Sequence, residues 1–134
     1  MQQWENLWPA TLGKMDLVPP VQILTKQAEY FNEMMQNVLV AEVKSVHIDF
    51  LETISHSLVI KVPALGNYNA KVLEMNHDPI KLYPVTIADQ IGKRDNRNLV
   101  SEKEVLEVLK SILRSKEMNE MVSSLLAQTR ATMR

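Results

Sequence analysis

The chain has 134 residues, 46% hydrophobic and 23% charged, which suits one globular domain with a single core and leaves too little for two. Its formal net charge of -1 lacks the concentrated positive charge that general nucleic-acid binding or an anionic membrane surface requires. With no cysteine it can form no disulfide, thiolate zinc site or cysteine nucleophile, which agrees with a reducing cytoplasm.

No charged stretch followed by an apolar core opens the chain as a secretory signal would, and no apolar run approaches the roughly 18 residues of a membrane span. The expected setting is soluble, cytoplasmic and without membrane contact.

In chain order, residues 1 to 18 hold Trp4 and Trp8 with Leu7, Leu12 and Leu17 among polar residues, Pro9 and Gly13. The segment is too short and interrupted to be a helix alone, so it reads as an arm preceding a domain over 19 to 134. Trp4, Leu7 and Trp8 either dock on that domain, each with large apolar area, or meet a partner, since tryptophan is enriched at interface hot spots. Pro19-Pro20 then opens a helix where a missing N–H costs little. Val21, Leu24, Ala28, Phe31 and Met35 follow at helical spacing, and Asn37 lies near the end.

Leu39, Ala41 and Val43 alternate, and Val46, Ile48 and Phe50 alternate in the opposite phase, which predicts a strand with a bulge near Lys44-Ser45 or, as the alternative, a short turn there. If the second set faces the core, His47 and Asp49 share the solvent face. From Ser57 to Ile87 the chain reads as a β-meander. Leu58, Ile60 and Val62 mark one strand, Leu65-Gly66-Asn67 a turn, Tyr68 to Met75 the return, Asn76-His77-Asp78-Pro79 a second turn, and Ile80 to Ile87 the closing strand. Residues 88 to 99 lose periodicity. Their basic residues Lys93, Arg94 and Arg97 belong either to a mobile solvated loop or to a recognition loop for a phosphate or an acidic surface.

Ser101-Glu102-Lys103-Glu104 is a capping box, and Ser115 begins a second helix carrying Met118, Met121, Val122 and Leu125. Methionine fills irregular cores and adapts to partner surfaces alike, so Met118 and Met121 are candidates for either role. The expected architecture is α+β: an N-terminal helix, an antiparallel meander of about four strands, and two C-terminal helices packed on one face of the sheet.

Chemistry is sparse. The glycines at 13, 66 and 92 are too scattered for a phosphate-binding loop, and no G-x-S-x-G or H-E-x-x-H occurs. The one constellation of ligand and acid/base types is His47, Asp49, Glu52 and His56, which could serve a metal-dependent hydrolase or nuclease if the next strand returned His56 to the others. Otherwise these residues form a solvated strand face. No resident metal or cofactor is expected.

The stretches PPVQILTKQAEYF, VPALGNYNAKVLEMNH and YPVTI, with the SSLLAQTR ending, resemble a group of small uncharacterised bacterial proteins. The resemblance implies a bacterial origin and no particular activity. The leading expectation is a non-enzymatic interaction or regulatory module that meets another protein or itself, as in a homodimer. The alternatives are the hydrolase and a carrier of a small apolar ligand held between helix and sheet.

Overall fold

The computed structural model describes residues 3–132. Helix α1 spans Pro20–Met35, and strands β1 Val40–Ile48, β2 Thr53–Val62, β3 Tyr68–His77, β4 Val85–Asp89 and β5 Arg94–Leu99 follow in order. Helices α2, Glu102–Leu113, and α3, Lys116–Thr132, complete the chain. The strands form one antiparallel sheet in sequence order, each paired with its neighbours. The architecture is the α+β arrangement expected, with a fifth strand.

Pro20 occupies the first turn of α1, where its fixed φ is already helical, and Pro19 before it is extended. Ile23, Leu24 and Ala28 are buried, with Phe31 and Met35 packed against the core. The helix stops at Gln36 and Asn37, both with positive φ, whose N–H groups donate back to Glu33 and Asn32. At the other end of the chain both expected caps are present. Ser101 Oγ accepts from Glu104 N and Ser115 Oγ accepts from Met118 N. The Glu104 carboxylate accepts from the Val100 N–H, one residue before the cap.

One face of the sheet is buried. Ala41 and Val43 lie opposite Ile60 and Leu58, Leu58 lies opposite Leu73, and Met75 lies opposite Ile87. With Leu24, Val105, Leu109, Met118 and Leu125 from the helices they form a single core. The other face is polar, with Lys61 paired to Glu42 at 2.9 Å and Glu74 held by Ser55 and Lys71.

Three details correct the sequence reading. Strand β1 pairs with β2 without a register shift, so the inward phase of Ala41 and Val43 continues through Ser45 and His47, and Val46 and Phe50 are exposed. The bulge lies instead between β2 and β3, at Leu58/Val59, and allows the adjacent residues Val72 and Leu73 both to be fully buried. Residues 88 to 99 are a hairpin. Asp89 accepts the N–H groups of Ile91 and Gly92 through Oδ1, at 3.0 and 2.9 Å, and a Cβ on Gly92 would meet Asp89 Oδ2 at 2.5 Å. The composition of β5 is polar because it forms the sheet's edge.

The opposite edge, β1, is blunted by a side chain. Asn32 of α1 accepts the Ala41 N–H at 2.6 Å and donates to the Ala41 carbonyl at 3.1 Å, taking the place of a strand partner. Asn32→Ala leaves both groups without that partner beside a buried residue. The expected loss of stability is about 1–3 kcal/mol, read as a lower denaturant midpoint with an unchanged slope.

Candidate functional site

Meander topology gathers several segments at one end of the sheet. The β1–β2 turn, the β3–β4 connection over 78–84 and the start of α1 all lie there, the last because the Tyr83 hydroxyl donates to the Val18 carbonyl at 3.1 Å. Burial, and then the carboxylate of Glu102, hold the Tyr83 phenol above its ordinary range, so it stays a donor through neutral pH.

The same end holds all three histidines of the chain. His47 lies opposite Ile54, which lies opposite His77; Ser45 lies opposite His56, which lies opposite Met75. Strand alternation therefore puts the three rings on the helix-covered side of the sheet. Their surroundings differ. His47 is half exposed and its Nδ1 pairs with Asp49 Oδ1 at 2.9 Å in solvent. His56 and His77 are 6% and 7% exposed, and their Nε2 atoms meet at 3.1 Å.

The hydrogen order in that buried pair follows from its partners. His77 Nδ1 lies 2.9 Å from the Asp78 carbonyl and 3.2 Å from the Lys81 carbonyl, and carbonyls only accept, so Nδ1 carries the hydrogen. Neutral His77 then accepts at Nε2, and His56 must donate from its own Nε2. His56 Nδ1 is left as an acceptor, and Ser45 Oγ, 2.6 Å away, donates to it. Every ring nitrogen is satisfied, in one direction. Burial first, and the neighbouring ring of His77 second, hold His56 below the ordinary histidine range.

Of the expected constellation, the structure pairs His47 with Asp49, while His56 is hydrogen-bonded to Ser45 and His77. Glu52 closes the β1–β2 turn with φ 46 and donates its N–H to the Asp49 carbonyl. Among the described residues no group of three His, Cys, Asp or Glu side chains could hold a metal ion. Arg94 lines a small cavity of about 190 Å³ with Asp89, Asn96 and Glu107, Arg97 pairs with Asp95 in solvent, and Lys93 occupies the hairpin turn with φ 57. Met118 is buried in the core and Met121 packs against it. Trp4, Leu7 and Trp8 stand in the open, Trp4 at 85% exposure.

The sequence reading places His77 in a turn. The structure places it as the last residue of β3, and counting inward positions from Leu73 through Met75 to residue 77 would have found it. Phe50, Leu51 and Ile80 are exposed at the same end, Phe50 at 86% and Ile80 at 87%.

Compared with known proteins, the chain matches no family model, no curated protein and no solved structure.

Tyr83→Phe removes the donor that ties the start of α1 to the β3–β4 connection. Stability should fall by about 1 kcal/mol in denaturant titrations, and the Val18 region should become more susceptible to limited proteolysis.

Proposed function

We propose that the chain is a non-enzymatic interaction module that meets another protein, or a second copy of itself, through its N-terminal arm and the adjoining end of the sheet. The observation that carries this reading is the exposure of the arm: Trp4, Leu7, Trp8, Leu12, Met15 and Leu17 all stand out from the domain. Six large apolar side chains between Trp4 and Leu17 are costly to leave in water, and exposed apolar surface of this kind marks an interaction site. Phe50, Leu51 and Ile80 are exposed as well, at the end of the sheet where Tyr83 meets Val18. The chain has no cysteine, and among the described residues no helix is long and apolar enough to cross a membrane.

Other functions receive less support. A hydrolase over His47, Asp49, Glu52 and His56 needs four side chains at one point, and His56 is engaged elsewhere. An apolar ligand carrier needs an apolar cavity, whereas the space beside α2 sets Val108 and Ile112 among the charged groups of Asp89, Arg94 and Glu107.

The test is removal of residues 1–16, followed by circular dichroism and native mass spectrometry beside the full chain. The shortened chain should remain folded and lose self-association or its co-purifying partner. Trp4→Ala or Trp8→Ala in the full chain should weaken association by at least about 2 kcal/mol, roughly thirtyfold in Kd. A full chain that is monomeric and partner-free, or an association unchanged by the deletion, sinks the proposal.

A further inference from the structure

We infer that His56 and His77 form an acid-sensitive latch, which holds the β3–β4 connection and the base of the arm in place while both rings are neutral and parts when the pair takes up protons. Its consequence for binding rests on the proposed role of the arm; the latch itself does not.

The latch is a directional chain across three strands and a loop. Ser45 on β1 donates to His56 on β2, His56 donates to His77 on β3, and His77 donates to the carbonyls of Asp78 and Lys81 in the connection. Two residues beyond Lys81, the Tyr83 hydroxyl reaches Val18, where the arm meets α1. A continuous run of hydrogen bonds and short chain segments thus joins the histidine pair to the arm.

Neutrality is a condition of this arrangement. At 3.1 Å the two Nε2 atoms have room for one hydrogen between them. The first added proton must go to His56 Nδ1, the one ring nitrogen of the pair able to receive it without breaking the ring–ring bond. Ser45 can turn from donor to acceptor, but the charge then lies on a ring 6% exposed. A second proton has only His77 Nε2, where it sets N–H against N–H and places like charges side by side. The rings must then separate, and the connection leaves with His77.

The surrounding groups offer the charge little. On β1 the nearest titratable side chain of this face, His47, is turned to Asp49. In the connection the Asp78 carboxylate accepts the Ile80 N–H. Glu74 is held by Ser55 and Lys71 on the opposite face, the first turn of α1 has no acidic residue, and Glu102 of α2 bears on Tyr83. Because His56 is held below its unfolded value of about 6.5, the unfolded or parted state binds more protons. The latch's contribution is complete above that value and is lost as pH falls below it.

A shared metal ion is the competing explanation for two facing Nε2 atoms, and proton placement separates the two. Nitrogen-detected NMR of the full chain at pH 7.5 should show His56 as the Nε2–H tautomer and His77 as the Nδ1–H tautomer. On acidification to pH 5, residues 78–83 and Val18 should gain mobility together, with the parted population rising steadily as the pH falls below about 6.5. His56→Phe can neither donate nor take a charge, so its connection should be equally mobile at both pH values. Two Nδ1–H tautomers with stoichiometric zinc, rings that titrate without any response in 78–83, or an acid response preserved in His56→Phe would each overturn the latch. None of these readouts requires a partner, so they stand or fall separately from the role of the arm.

Discussion

A sheet buried on one face imposes a parity rule on every strand, and most of this molecule follows from it. Moving a strand by one residue would carry its whole apolar set from the core to solvent. Leu58 opposite Leu73, and Met75 opposite Ile87, fix the inward parity of the three central strands. That parity determines the inner face of β1 through Ala41 and Val43, and so brings Ser45 beside His56. The buried histidine chain is thus a consequence of apolar packing several residues away. The interruption at Leu58/Val59 begins two residues beyond His56 and leaves the pairings of His56 with Met75 and of Ile54 with His77 intact, and a second, at Val85/Ile87, lies between β4 and β5.

Local rules made much of the chain legible. Proline at the start of α1, Ser101 and Ser115 at their caps, and Gly66-Asn67 with positive φ all have effects confined to a few residues. What was not legible depends on which face the helices cover. Val46, Ile48 and Phe50 alternate like core residues, yet the unbroken β1–β2 register turns Val46 and Ile48 to the open face, and Phe50 stands exposed in the turn beyond the strand. Strand β5 has the opposite disguise, since an edge strand needs few apolar residues. The Asp89 side chain carries the turn that makes the hairpin, and without it GKRDNRN reads as loop.

The candidate site was half legible for the same reason. His47 and Asp49 are two positions apart on one strand, and their pairing needs no tertiary information. The His56–His77 contact joins residues 21 apart and depends on the register of β2 with β3. A count of inward positions along each strand finds both rings, but the hydrogen order needs the Asp78 and Lys81 carbonyls, which the connection brings back. That return path has no signature in residue type.

The end of the sheet near these histidines inverts the pattern of the rest of the molecule. Elsewhere leucine, valine and methionine lie inside, and Glu42, Lys61, Lys71 and Glu74 meet in pairs on the open face. Here the rings of His56 and His77 are inside while Phe50, Leu51 and Ile80 are outside. Apolar side chains at 56 and 77 would continue the rows of Leu58 and Met75 without the cost of desolvating polar rings. The histidines supply direction and register instead, because a polar chain inside a protein is favourable only when every member has its partner. The proposed interaction surface calls for such an arrangement: anchors free to be covered, on a base whose geometry is held.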